Sequence, residues 1–267
     1  MNKNLNKKLG FIGCGEMAKA IIKSIYNNND IEIIASTSSP KTAQKTSEEL
    51  NINVINDNNK VAEFADIIFI ATKPNQVEQV LNEIKKKLSN NKLIVSIAAG
   101  VSTKKIESII GSIPVIRVMP NTPAQIKEGM SATSKGKFAT TEQEKIVHEI
   151  FNKIGKVISV EESQIDIVTA ISGSGPAFFY QIFEDIAQAG ENLGLDYDKS
   201  LLLAVQTAIG AAKMTLIRKN SLPDLISSVA TKGGCTEVGI NTMRKLNSAE
   251  IFNEIIKNTT QKARELG

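Results

Sequence analysis

Over its first 160 residues the chain keeps one rhythm: a short apolar run, a stretch with helical spacing, then another apolar run. The runs are LGFIG (9–13), IEIIAS (31–36), DIIFIAT (66–72), KLIVSIA (92–98), PVIRVM (114–119) and KVISV (156–160). Several are near-continuous apolar runs, which suits strands buried on both faces of a parallel sheet. Between them, EMAKAIIKSIYN and NQVEQVLNEIKKKL repeat apolar residues at the period of a helix. This alternation predicts an open, doubly wound α/β sheet with right-handed crossovers.

From residue 161 the strand signal stops and long helical patterns take over: DKSLLLAVQTAIGAAKMTLIRK, TEVGINTMRKL and SAEIFNEIIKNTTQKARELG. The expected organisation is a dinucleotide-binding domain over 1–160 and an all-helical domain over 161–267. The segment 197–217 carries apolar or small residues around nearly its whole circumference, so it needs cover on every side. A domain of roughly a hundred residues cannot supply that cover alone, which points to a partner subunit.

The composition narrows the function class. The chain has no tryptophan, 4% aromatic residues and a formal charge of +4, with lysine runs as short as Lys85–Lys86–Lys87. Neither a base-stacking platform nor a basic stripe for nucleic acid is expected. No continuous run reaches the roughly 18 apolar residues of a membrane span, and the apolar stretch after MNKNLNKK is too short for a signal peptide. Cys14 and Cys235 lie in different motifs without metal-ligand spacing, so neither a disulfide scaffold nor a metal site is expected. The expected location is the cytoplasm.

Directly after the first run comes Gly13-Cys14-Gly15-Glu16-Met17-Ala18, a G-x-G-x-x-A. Gly13 permits the tight turn, Gly15 lets the backbone approach a pyrophosphate, and Ala18 allows close helix–strand packing. A plain βα turn would use the same glycines. A strand before, a helix after and a second strand about 20 residues on favour a Rossmann-type dinucleotide site. The second strand ends in Ser36-Thr37-Ser38-Ser39, with Lys41 close by and no acid for a ribose 2′-hydroxyl. That predicts a preference for NADP(H), with NAD(H) not excluded. Three further loops leave strand ends: Ala71-Thr72-Lys73-Pro74-Asn75, Ala98-Ala99-Gly100 and Pro120-Asn121-Thr122-Pro123. Each also suits ordinary turn chemistry.

The usual acid or base of alcohol dehydrogenases is missing. The only histidine, His148, falls on the polar face of its helix with Glu144 and Asn152, which predicts a solvated side chain. No lysine follows Gly175, where Pro176-Ala177-Phe178-Phe179-Tyr180 stands instead. A hydride acceptor carrying its own activating charge, such as a protonated imine, fits this lack.

GFIGCGEMAKAI, ATKPNQV, SIAAGVS, RVMPNTPAQIKEGMSA, ISGSGPAFF, IGAAKM and TKGGCTE together resemble the pyrroline-5-carboxylate reductase family in order and spacing, from about residue 9 to 265. The resemblance implies NAD(P)H-dependent reduction of Δ1-pyrroline-5-carboxylate to L-proline, the last step of proline biosynthesis. It also implies a Rossmann domain followed by a helical domain that interleaves two subunits into a homodimer, often within larger rings. Carried over by position, Gly13, Cys14, Gly15, Glu16 and Met17 would hold phosphates. Thr37 and Ser38 would lie near the adenosine ribose, Asn58 would contact the cofactor, and Ala71, Thr72, Lys73, Pro74, Ala98, Ala99, Gly100, Asn121 and Thr122 would line the nicotinamide half.

By the same resemblance, ISGSGPAF (171–178) is where a long helix bends near the active site, with Ser174 close to substrate. Close packing alone would use the same small residues. Thr231, Lys232, Gly233, Gly234, Cys235 and Thr236 would seat the substrate's carboxylate opposite the neighbouring subunit's nicotinamide, with exposed amides at a helix start. Thr236 would orient the substrate; an ordinary glycine turn is the plainer alternative. The family's loop reads Ser-Pro-Gly-Gly where this chain has Thr231-Lys232-Gly233-Gly234, so Lys232 either attracts the carboxylate or points to solvent. Rival functions are reduction of a six-membered cyclic imine, nucleotide sensing without catalysis, and association with DNA or membrane.

Overall fold

The computed structural model describes residues 7–26, 31–217 and 220–266. The N-terminal MNKNLN, the last residue of the first expected helix and the Arg218–Lys219 end of the long one lie outside the described residues.

The strands and helices alternate as β1 (Leu9–Ile12), α1 (Glu16–Ile25), β2 (Ile33–Ser36), α2 (Pro40–Leu50), β3 (Asn53–Ile55), α3 (Asn58–Phe64), β4 (Ile67–Ile70), α4 (Pro74–Ile84), β5 (Leu93–Ser96), α5 (Thr103–Ile110), β6 (Val115–Met119), β7 (Gly129–Lys135), α6 (Thr141–Phe151) and β8 (Gly155–Ser159). They form one eight-stranded sheet in the order β3-β2-β1-β4-β5-β6-β7-β8. All pairings are parallel except β6 with β7. The strand order reverses between β1 and β4, which opens a crevice at the carboxyl ends of these two strands.

Two strands exceed the six expected from sequence. β3 is three residues long, too short to carry a period. β7 reads GMSATSK, with Ser131, Thr133 and Ser134 buried. Its hydroxyls are packed inside the protein, with Thr133 Oγ1 donating to Glu144, so polarity masks the strand.

Alternate residues of each central strand serve opposite faces. Phe11, Phe69 and Val95 pack in one core with Ile21, Ile22 and Phe151 of α1 and α6. Ile12, Ile68, Ile70 and Ile94 pack in the other with Val61, Val77, Leu81 and Ile106 of α3, α4 and α5. The Phe11 and Phe69 rings stack across β1 and β4 with centroids 4.3 Å apart. Each such fully buried side chain stabilises the fold by about 1.5–3 kcal/mol, which makes the apolar runs necessary.

The helices that follow are α7 (Ile165–Val168), α8 (Gly175–Asn192), α9 (Tyr197–Ile217), α10 (Leu222–Val229), α11 (Cys235–Lys245) and α12 (Ser248–Glu265), with a π-helical turn over Thr169–Gly173. The chain divides into two compact units, one running to Ser174 and resuming at Thr259, the other spanning Gly175–Asn258. Within the first, Asn121 Nδ2 donates to the Ser172 carbonyl at 3.0 Å, near its boundary at Ser174. In the second unit, α9 leaves Leu202 and Leu203 more than half exposed. Its 21 residues are long and apolar enough to cross a membrane by length and composition alone, and 6% of that window is buried within the chain. A count of uninterrupted apolar residues misses this helix, because Gln206, Thr207, Gly210 and Lys213 break the run while the mean hydropathy stays high.

Candidate active site

A groove of about 670 Å3 opens at the carboxyl ends of β1, β2 and β4. Its floor is Gly13, Cys14 and Gly15 after β1; Ser36, Thr37, Ser38 and Thr42 flank it after β2. Asn56, Asp57 and Asn58 come from the β3–α3 junction, Ala71, Thr72 and Lys73 from the end of β4, and Gln76, Gln79, Val80 and Glu83 from one face of α4.

Gly13 has φ +87°, and an added Cβ would sit 2.7 Å from the Ala71 carbonyl oxygen. Only glycine turns there without strain. Gly15 precedes α1 and gives it no side-chain cap. A Cβ on Gly15 would meet nothing within 4 Å, so the open space above it faces the uncapped start of α1. That cradle suits a pyrophosphate. Cys14 between them is buried, and desolvation pushes its thiol up to about 11, partly opposed by the charge of Lys19. It stays a neutral thiol and is no nucleophile.

The ribose end carries hydroxyls and amides. Ser39 caps α2 by accepting from the Thr42 amide at 3.2 Å, with Pro40 in the first turn. Asn56 Nδ2 donates to the Thr37 carbonyl at 2.5 Å. The buried Ser36 hydroxyl donates to Asn58 Oδ1 at 2.7 Å, and Asn58 Nδ2 donates to Glu83 Oε2 at 2.9 Å. Thr72 Oγ1 is buried and lacks a hydrogen-bond partner among the described residues, an orphan polar atom at the groove wall. An open glycine cradle, uncapped amides and a hydroxyl-rich ribose end fit a dinucleotide.

Of the expected cofactor residues, Gly13, Cys14, Gly15, Thr37, Ser38, Asn58, Ala71, Thr72 and Lys73 line this groove together. Glu16, Met17, Pro74, Ala98, Ala99, Gly100 and Asn121 are not among its lining residues. Glu16 lies in the first turn of α1 and pairs with Lys19 at 3.4 Å. Pro74 starts α4, and Ala98 is buried behind β5. Both ends of the Asn121 amide are engaged: Oδ1 accepts from the Met130 amide at 2.8 Å while Nδ2 holds Ser172. Sequence reasoning missed Asn56, Gln76, Gln79 and Glu83. The signal existed, since 76, 79 and 83 recur at helical spacing on α4.

ISGSGPAF straddles the π turn. The Ser174 amide donates to the Thr169 carbonyl at 2.8 Å, closing that turn, and Pro176 occupies the first turn of α8 where no donor is needed. Residues 231–234 precede α11, whose N-cap is Gly234, so Cys235 and Thr236 lie in its first turn. The Gly234 amide donates to the Thr231 carbonyl at 3.0 Å. The Gly233 amide donates to Glu237 Oε2 at 2.8 Å, so one amide expected to be open is held by the loop's own carboxylate. Lys232 and Cys235 are exposed.

His148 differs from its expected solvated state. Its Nε2 lies 2.8 Å from Thr133 Oγ1 and 3.3 Å from Ser159 Oγ, and both hydroxyls are 2.9 Å from the buried Glu144. Lys135 reaches Glu144 at 3.6 Å. The polar face of α6 packs on the hydroxyl side of β7, which helical periodicity alone did not reveal. Among the described residues, no three His, Cys, Asp or Glu side chains converge as a metal site.

Two family models match the chain: pyrroline-5-carboxylate reductase dimerisation over residues 162–266, and NADP oxidoreductase, coenzyme F420-dependent, over residues 8–100. The chain is 34% identical to pyrroline-5-carboxylate reductase 1 of Bacillus subtilis over 266 residues, covering 97% of this chain and 89% of that protein. It is 35% identical to the pyrroline-5-carboxylate reductase of Methanosarcina acetivorans, covering 98% of each. Among solved structures, the Plasmodium falciparum pyrroline carboxylate reductase with NADP bound superposes with a TM-score of 0.86 at 32% identity, covering 98% of this chain and 99% of that one.

Proposed function

The chain belongs to the pyrroline-5-carboxylate reductase family, and from that premise we propose that it reduces Δ1-pyrroline-5-carboxylate to L-proline with NAD(P)H. The observation that carries this is the groove at the β1/β4 switch point, joined in one chain to a dimerisation domain of this family. One nicotinamide hydride and one proton are consumed per imine reduced. When bound, the cofactor supplies the hydride. The chain's own residues bind and orient: the Gly13–Gly15 turn and the start of α1 hold the diphosphate, and Ser36 to Ser38 with Asn58 hold the adenosine ribose. The remaining expected cofactor residues, Glu16, Met17, Pro74, Ala98, Ala99, Gly100 and Asn121, are assigned to the flanks of that path.

For the substrate, the proposed seat is Thr231–Thr236 of the partner subunit, with Thr236 orienting the ring and Ser174 near it. The open start of α11 favours an anion, and Lys232 adds attraction. A protonated imine needs little acid help, in keeping with a groove whose described lining holds no histidine and, as its one lysine, Lys73 just before α4. The protein then contributes chiefly proximity and electrostatic positioning.

NADP(H) is the preferred cofactor in this reading. Hydroxyls at the end of β2 and the start of α2 favour a 2′-phosphate, and no carboxylate stands on β2 itself. The dimerisation match from residue 162 supports a functional boundary near 160, with 1–160 binding dinucleotide and 161–267 serving dimerisation and substrate. The proposed assembly is a homodimer, with a ring of dimers above it, and no nucleic acid or membrane as partner. Two free cysteines suit a reducing cytoplasm.

The experiment is purified protein with pyrroline-5-carboxylate and NADPH, with NADH in parallel, followed at the nicotinamide absorbance with proline as measured product. Fast NADPH oxidation with stoichiometric proline is expected. Binding of both cofactors without oxidation of either would refute the substrate assignment while leaving the groove intact.

A further inference from the structure

Two carboxylates line the dinucleotide groove, and they differ in their surroundings. Asp57 caps α3, accepting from the Lys60 amide at 3.1 Å, and its charge is opposed by the Lys60 ammonium at 3.8 Å. Among the described residues no lysine or arginine forms an ion pair with Glu83. Of the lysines around α4, Lys85 contacts Asn82 at 3.0 Å, Lys87 pairs with Glu63 and Lys105 with Glu78 at 3.0 Å, while Lys73, on the groove wall, and Lys86 reach no carboxylate. What Glu83 does have is the Asn58 amide, which the buried Ser36 hydroxyl grips from the other side. Ser36 is the last residue of β2, so this chain of two hydrogen bonds runs from the ribose end of the groove to α4.

The arrangement has two consequences. Asn58 is fixed with Oδ1 toward Ser36 and Nδ2 toward Glu83. And a carboxylate without an ion-pair partner among the described residues stands one side chain away from the hydroxyls that would receive a 2′-substituent. A ribose hydroxyl tolerates such a charge, whereas a phosphate with up to two negative charges is repelled. We infer that Glu83 is a specificity-determining residue that holds down the preference for NADP(H) over NAD(H) by facing the 2′-position across Asn58. This rests on reading the groove as a dinucleotide site.

The test is Glu83→Gln. The glutamine Oε1 can still accept from Asn58, so the hydrogen bond stays while the charge goes. Dissociation constants for NADPH, NADH, 2′,5′-ADP and 5′-AMP are measured by calorimetry at low and high salt. Glu78→Gln, on α4 and paired with Lys105, controls for net charge. Expected are NADPH and 2′,5′-ADP binding about three- to tenfold tighter in Glu83→Gln, NADH and 5′-AMP within about twofold, and a gap that narrows in salt. An unchanged NADPH/NADH ratio, or the same shift in Glu78→Gln, overturns the inference. If none of the four ligands bound the unsubstituted protein, the groove reading itself would fail, and the inference with it.

Discussion

Gly13 and Gly15 stand two residues apart in one turn and do different work. An alanine at 13 would take a φ of +87° and press on the Ala71 carbonyl, so Gly13→Ala should cost the fold about 2 kcal/mol or more, read by urea denaturation. An alanine at 15 meets no protein atom. Gly15→Ala should therefore unfold within about 0.5 kcal/mol of the parent yet bind NADPH at least about tenfold more weakly by calorimetry. Equal effects of the two on stability would refute this division. The turn was legible in sequence because its glycines have a spacing. Glu83 and the Glu237 hold on Gly233 were not, since an acid on a polar helix face carries no mark of what it touches.

Cys14 gives a second prediction at this scale. Burial raises the thiol from 9.0 to about 11 in the folded chain. Between those values the unfolded thiol has lost its proton and the folded one keeps it, so the unfolded state binds fewer protons. Stability from this group is whole below pH 9 and falls as pH rises toward 11. Cys14→Ala should flatten the alkaline limb of a stability-versus-pH curve. In the native protein at pH 8, a thiol reagent should react fast with one equivalent, the exposed Cys235, and reach Cys14 only on unfolding.

At the scale of elements, one carboxylate ties three together. Glu162 accepts from the Thr103 amide at 3.1 Å, the Thr103 hydroxyl at 2.6 Å and Arg117 at 3.0 Å, joining α5, β6 and the segment leading to α7. Arg117 is 5% exposed, so Glu162→Ala strands a buried cation and should destabilise by about 3–5 kcal/mol in denaturant melts, with Glu162→Gln costing less. Neither PVIRVM nor GMSATSK announced this polar side of the sheet. Periodicity finds strands whose burial is apolar, and it misses those whose buried groups are satisfied by partners distant in sequence. The substrate loop makes the complementary case. With Glu237 accepting from the Gly233 amide, the exposed Lys232 is the cation proposed to attract an anionic substrate. Lys232→Ala should raise KM for pyrroline-5-carboxylate about two- to fivefold and leave kcat near its parent value in initial-rate assays. An unchanged KM would return Lys232 to the solvated surface.

For the whole molecule the question is what covers α9. Leu202 is 68% exposed, Leu203 60%, Leu216 80% and Ile217 76%, although each belongs to a type that folding normally buries. A lipid bilayer and a second subunit could both cover such a helix. The dimerisation match spanning 162–266 favours the subunit. Burying one such leucine contributes about 1.5–3 kcal/mol, and two copies contribute it twice, so a single charge at the seam should outweigh its size. Leu203→Glu is expected to convert the dimer to monomer by light scattering and to abolish proline formation, because the proposed substrate seat comes from the partner. NADPH affinity should stay within about twofold, since the groove lies wholly within the first compact unit. The parent's Tm should climb with protein concentration, as mass action requires of a dimer-stabilised fold. A Leu203→Glu protein that stayed dimeric and active would remove α9 from the interface and reopen the question of its cover.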